Sequence, residues 1–94
     1  MVKEITVETY LRKRVEAMGG MAYKFVSPQN AGVPDRVVCM PGGKLFFVEL
    51  KRPREEPRAL QLAQIRRLRK LGQTVYVADS KEAVDAVLRE ATGG

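Results

Sequence analysis

Two ionisable residues, Glu49 and Lys51, lie near the end of the run Lys44 to Lys51 (KLFFVELK), which is apolar from Leu45 to Val48. If this run forms a β-strand, alternate side chains share a face, which places Glu49 and Lys51 side by side at about 7 Å. An unpaired charge is expensive to bury, so an acid and a base at such positions indicate a functional role. The alternative is an ion pair on an edge strand, where charges deter aggregation.

A third ionisable residue, Asp35, should lie at the same place. Val33 to Met40 is a second β-prone run, and the turn Pro41-Gly42-Gly43 predicts an antiparallel hairpin with the run that follows. The start of one strand then lies beside the end of the other, so we expect Asp35 next to Glu49. Taken alone, Asp35 after Pro34 would be an ordinary turn residue.

Two adjacent carboxylates indicate a cation site. Asp35 and Glu49 would repel each other without a cation, and Mg²⁺ prefers oxygen ligands of this kind. The backbone carbonyl of Leu50 could supply a further ligand. Lys51 could then polarise a water molecule or offset negative charge that develops on a phosphate.

The elements that would position these residues follow from hydrophobic periodicity and from the turn and capping residues. We predict helix 6–18, strands 21–26, 33–40 and 44–51, helix 58–71, strand 74–78, a last helix capped by Ser80, and a frayed tail at 92–94. The strand-helix-strand unit should be a right-handed crossover, which makes the third and fourth strands parallel. The sequence therefore predicts one α/β domain over residues 1–94, with a mixed four-stranded sheet flanked by helices.

The composition excludes several kinds of enzyme. Histidine is absent, which rules out Ser-His-Asp and Cys-His catalysis, histidine-ligated metals and HNH-type nuclease chemistry. Cys39 is the only cysteine, so neither an intramolecular disulfide nor a multi-cysteine zinc site can form.

A net charge of +6 favours polyanionic partners. Because no apolar run approaches the roughly 18 residues of a membrane span and the N-terminus lacks a signal-peptide core, we expect a cytoplasmic protein with no membrane partner.

The motifs around the ionisable residues resemble those of a nuclease family. Pro34-Asp35, a gap of thirteen residues and then Glu49-Leu50-Lys51 are similar to the PD-(D/E)xK signature. The flanks Gly32 to Arg36 (GVPDR) and Val48 to Pro53 (VELKRP), with Gln61 downstream, resemble the VRR-NUC branch of that superfamily, which includes small stand-alone phage proteins. The resemblance covers nearly the whole chain, from the first helix to the last.

This resemblance implies a restriction-endonuclease-like αβββαβ core and metal-dependent hydrolysis of DNA. It implies that Asp35 and Glu49 hold Mg²⁺ or Mn²⁺, and that Lys51 assists the nucleophile. In the family an acidic residue of the first helix completes the metal site, and Glu8 matches that residue. The family glutamine matches Gln61, which would orient a metal-bound water or a phosphate.

The helical positions of these last two residues agree with such roles. Glu8 shares a stripe with Leu11 and Val15 and should point toward the core, although it could instead favour the positive end of its helix. Gln61 shares a stripe with Ile65 and should face the sheet, although it could be a surface residue.

The resemblance also bears on partners. Stand-alone members of the family look like homodimeric Holliday-junction resolvases, which suggests structured or branched DNA as substrate and a dimer as the active form. Basic and polar residues near the site are predicted to contact nucleic acid: Lys24, Ser27, Arg36, Arg52, Arg54 and Arg58. The later basic run from Arg66 to Lys70 could equally be a solvated helix face. The alternative function is a non-catalytic nucleic-acid-binding or interaction module on the same fold.

Overall fold

Seven elements follow one another in the predicted order in a computed structural model that describes residues 6–93. They are α1 (Val7–Ala17), β1 (Met21–Lys24), β2 (Arg36–Met40), β3 (Lys44–Leu50), α2 (Ala59–Lys70), β4 (Val75–Ala78) and α3 (Lys81–Thr92). The helix starts follow capping rules, since the Thr6 and Ser80 side chains each accept a hydrogen bond from a backbone N–H three residues on. The predicted αβββαβα order is confirmed.

The four strands form one mixed sheet in the order β1-β2-β3-β4. β2 pairs antiparallel with both β1 and β3, and β4 pairs with β3 in parallel, as the crossover connection requires. β3 therefore lies inside the sheet. The alternative that Glu49 and Lys51 decorate an edge strand is wrong, because β3 has a strand on each side.

The two faces of the sheet are covered by different helices. On one face α1 and α3 contribute Leu11, Val15 and Leu88 to the main core, which they form with Val38 and Val48 of the central strands. Side chains alternate along a strand, so the residues between these point to the opposite face, where α2 lies. Glu49 points to that second face, so its neighbours come from the side of the sheet on which α2 lies.

Several element boundaries differ from the prediction. β2 begins at Arg36 instead of Val33, since Pro34 cannot donate a hydrogen bond to a strand ladder. The Asp35 carbonyl still accepts from the Phe25 N–H at 2.8 Å, although β1 ends one residue earlier, at Lys24. α3 continues through Thr92, so the predicted tail is helical at that residue, and Gly94 lies outside the described residues.

Within residues 6–93, none of the helices combines the length and the apolar character that crossing a membrane requires.

Candidate active site

Asp35 and Glu49 come together where β2 begins and β3 ends. Arg36 is opposite Val48 in the strand register, and continuing that register by one residue places Asp35 opposite Glu49. The Leu50 N–H donates to Asp35 Oδ2 at 2.8 Å, which holds the aspartate against β3. The hairpin thus brings the two carboxylates together as the sequence predicts.

The same register explains why proline precedes the aspartate. Leu50 points its N–H toward β2, and the carbonyl of a strand residue points to the same side as its N–H. The residue opposite Leu50 in the continued register is Pro34, which has no N–H to donate to that carbonyl. The Leu50 carbonyl therefore points toward the segment before β2 without a ladder donor from Pro34, which leaves it available as a ligand.

Glu49 is fully buried, with 0% of its side chain exposed. Among the described residues neither carboxylate oxygen receives a hydrogen bond, and Lys51 Nζ lies 3.5 Å from Oε2. Burial raises the pKa of Glu49 to about 7, and the negative charge of the neighbouring Asp35 adds to the rise. The Lys51 ammonium acts in the opposite direction. Glu49 is thus a buried carboxylate with no hydrogen-bond donor among the described residues, an arrangement that disfavours its charged form.

Lys51 is held by a side chain of α2. Its Nζ donates to Gln61 Oε1 at 2.6 Å, and the same oxygen accepts from the Arg58 backbone N–H at 2.8 Å. Gln61 is the third residue of its helix, the position from which a glutamine side chain can reach back to the N-cap. The Lys51 side chain is only 7% exposed, and this bond fixes its ammonium beside Glu49.

Glu8 lies apart from this cluster. α1 packs on the sheet face opposite to Glu49, and the Glu8 carboxylate forms an ion pair with Arg36, which also donates to the Ala22 carbonyl at 2.9 Å. The expectation that Glu8 points into the core is wrong, because its side chain is 53% exposed. Within residues 6–93 no three carboxylate, cysteine or histidine side chains gather closely enough to hold a metal ion.

The residues predicted to contact nucleic acid fall into two groups. Arg36 is largely buried and its guanidinium is occupied by Glu8 and Ala22, so the geometry gives it a structural task instead of a phosphate contact. Side chains alternate along β2, so Arg36 points to the same face as Val38, which is the face covered by α1. The others lie on or near the surface: Lys24, Ser27, Arg52, Arg54 and Arg58.

The chemistry of the donor set fits a divalent cation. Asp35 and Glu49 supply carboxylate oxygens and Leu50 supplies a carbonyl, which are the ligand types that Mg²⁺ and Mn²⁺ prefer. Both oxygens of the buried Glu49 lack a donor among the described residues, as expected of groups that bind a cation. The remaining coordination positions would be filled by water or substrate, because Mg²⁺ sites usually keep several waters.

One neighbour of the site, Glu55, was not predicted from the sequence. Glu55 Oε1 lies 3.9 Å from Lys51 Nζ, in the exposed connector between β3 and α2.

The bond between Gln61 and Lys51 also has no clear signal in the sequence. A glutamine that reaches back to the start of its helix usually follows Ser or Thr by three residues, and here that position is Arg58, whose side chain has no acceptor. The sequence therefore gave no indication that Gln61 would hold Lys51.

Comparison with known proteins identifies the family. No family model matches the chain. A protein of Acyrthosiphon pisum secondary endosymbiont phage 1, named "Putative nuclease p44", is 48% identical over 82 residues, which cover 87% of this chain and 88% of that protein. A solved structure described as "VRR_NUC domain" matches with a TM-score of 0.84 and 36% identity, over 88% of this chain and 90% of its own. With similarity of this extent in both sequence and fold, the chain belongs to the VRR-NUC domain family.

Proposed function

We propose that this protein is an endonuclease that hydrolyses phosphodiester bonds in DNA and requires Mg²⁺ or Mn²⁺. The observation that carries the proposal is the fully buried Glu49, whose oxygens have no hydrogen-bond donor among the described residues, beside Asp35 and the tethered Lys51. Family membership and the name of the phage relative support the same activity.

Each residue of the site has a separate proposed role. Asp35, Glu49 and the Leu50 carbonyl would hold the cation, which when bound supplies an activated water and neutralises charge on the scissile phosphate. Lys51 presents its ammonium beside Glu49 and stabilises negative charge on the attacked phosphate. Gln61 fixes that ammonium through its side-chain oxygen, so its proposed task is to position Lys51.

The substrate is proposed to be structured or branched DNA. Arg52, Arg54 and Arg58 lie exposed in the connector that follows Lys51, where they can contact phosphates of a bound DNA. Such contacts recognise backbone and shape without reading a base sequence. The phage relative supports a role in a phage-infected or prophage-carrying bacterium.

A homodimer is proposed as the active form, because part of one sheet face exposes apolar side chains. A row of three side chains crosses β1, β2 and β3 on the sheet face where α2 also lies: Met21, Cys39 and Leu45. α2 contacts β4, while Met21 remains 45% exposed and Leu45 remains 49% exposed. A second copy seated on this row would bury apolar surface that a small monomer exposes.

The test is a cleavage assay with four-way-junction, flap and linear duplex DNA of matched sequence, with Mg²⁺, Mn²⁺ or EDTA. We expect metal-dependent cutting, with the branched substrates cleaved faster. Asp35→Asn should lower the rate by at least 100-fold while the exposed control Glu56→Gln cuts normally. Cutting in EDTA, or an Asp35→Asn variant as active as the control, would refute the mechanism. DNA binding without cleavage of any substrate would instead support the non-catalytic module.

A further inference from the structure

Gly32, in the loop that leads to Asp35, makes an unusually close contact with α2. A β-carbon placed on Gly32 would lie 2.7 Å from both the carbonyl carbon and the oxygen of Leu60, and 3.0 Å from the backbone nitrogen of Gln61. Ordinary contacts between nonbonded carbon atoms lie near 3.5–4.0 Å. These neighbours are backbone atoms, which cannot move aside as a flexible side chain can. Any side chain at residue 32 must therefore displace either the loop or the start of the helix.

The backbone that Gly32 touches carries the side chain that holds Lys51. Leu60 and Gln61 are the second and third residues of α2, and Gln61 Oε1 bonds both Lys51 Nζ and the Arg58 N–H. A shift of about 1 Å, the size needed to relieve such an overlap, would lengthen a 2.6 Å hydrogen bond beyond bonding distance. The contact at Gly32 therefore bears directly on the placement of the ammonium.

We propose that Gly32 is a positioning residue for Lys51. Its lack of a side chain lets the loop before Asp35 and the first turn of α2 seat against each other, and this seating places Gln61 so that it fixes the ammonium beside Glu49. In this way one glycine keeps the loop that leads to Asp35 correctly packed against the helix that positions Lys51. The consequence for catalysis rests on the proposed nuclease function, whereas the effect on Lys51 does not.

A second glycine provides the matched control. Gly32 and Gly42 both have left-handed backbones, with φ of +91° and +83°, so alanine is strained at either position. A β-carbon on Gly42 would meet no heavy atom within 4 Å, because this residue lies in the turn between β2 and β3. Gly42→Ala therefore reproduces the backbone strain of Gly32→Ala without the contact to α2.

The first experiment measures the tether in the metal-free protein, without reference to activity. Side-chain NMR resonances of Lys51 (Nζ and Cε) and of the Gln61 amide are compared in wild type, Gly32→Ala and Gly42→Ala, with Gln61→Ala marking the Lys51 shifts of a released ammonium. We expect Gly32→Ala to move the Lys51 resonances toward those of Gln61→Ala, and Gly42→Ala to leave them in place. Unchanged Lys51 and Gln61 resonances in Gly32→Ala would overturn the proposal.

The second experiment is a double-substitution cycle in the cleavage assay. Gly32→Ala should lower kcat by about 10- to 100-fold with KM changed less than about threefold, since misplacement of a catalytic group by about 1 Å has effects of this size. Added to Gln61→Ala it should cause little further loss, because both changes act through the same bond. Multiplicative losses would assign Gly32 another role and refute the proposal. A wild type that cuts nothing would refute the nuclease function and leave the NMR result valid.

Folding of the variant is checked first by circular dichroism. If Gly32→Ala is unfolded in dilute buffer, both experiments are repeated in sucrose, which favours the compact state. Failure to fold there, under conditions in which Gly42→Ala is native, would assign Gly32 to global folding and overturn its proposed role as a positioning residue for Lys51.

Discussion

Replacing Glu49 with glutamine should stabilise the metal-free protein at pH 8 even though it removes a proposed metal ligand. Burial, reinforced by Asp35, raises the pKa of Glu49 from 4.5 to about 7, so the ionised carboxylate is much less stable in the folded protein than in the unfolded chain. One pKa unit corresponds to about 1.4 kcal/mol, which makes the full penalty about 3 kcal/mol. A glutamine of nearly the same shape carries no charge and avoids that penalty.

The sign of the pH dependence follows from proton linkage. Between the pKa of 4.5 in the unfolded chain and the pKa of about 7 in the folded protein, the folded state binds more protons at Glu49. The contribution of Glu49 to the free energy of unfolding therefore falls as pH rises through this window and is constant above it. The advantage of Glu49→Gln should be near zero at pH 4.5 and reach its maximum above pH 7.

The assay is thermal unfolding by circular dichroism in EDTA, at pH values from 4.5 to 8.5. Burial of the amide offsets part of the gain, so we expect about 1–3 kcal/mol at pH 8, which corresponds to a Tm increase on the order of 10 °C for a chain of this size. The exposed Glu56→Gln substitution removes the same charge and should leave Tm nearly unchanged. A lower Tm for Glu49→Gln at pH 8, or the same difference from wild type at pH 5 and pH 8, would refute the reasoning.

Three further predictions follow from the site and the sheet. Mg²⁺ should raise the Tm of the wild type at pH 8 but not that of Glu49→Gln, measured by scanning fluorimetry, and an equal rise in both would contradict the assigned ligands. Arg58→Pro should lower kcat several-fold below Arg58→Ala, because a φ of −71° already suits proline and only proline removes the N–H that holds Gln61; equal kcat values would exclude that tether. Leu45→Glu should raise the Kd of the dimer at least tenfold, measured by sedimentation velocity. Leu71→Glu makes the same substitution at an exposed leucine outside the proposed interface, at the end of α2, and should leave the Kd unchanged.

The order of elements and the pairing of the two carboxylates could be predicted from the sequence. Alternation along KLFFVELK and the glycine-rich turn before it are local signals, and a hairpin register follows from its turn. The elements they define were found with boundaries shifted by a few residues. Asp35 lies beside Glu49 because antiparallel pairing relates the start of one strand to the end of the next.

The side-chain partners could not be predicted in the same way. Helical periodicity placed Glu8 on the stripe of Leu11, but it does not say which face of the sheet receives α1. The structure puts that helix on the face opposite to Glu49, so Glu8 pairs with Arg36, a residue 28 positions away. Likewise, the bond between Lys51 and Gln61 depends on how the start of α2 docks onto the loop containing Gly32.

A mixed sheet with Asp35, Glu49 and Lys51 together at one end of a hairpin is predictable from the sequence, because spacing and strand alternation are local properties of the chain. The environment of those residues depends on tertiary packing, which buries Glu49 without a donor among the described residues and places the helix that fixes Lys51. Burial and long-range contacts depend on how distant elements pack, and no local pattern encodes that packing. The three residues specify the chemistry, and the fold supplies the conditions under which it can occur.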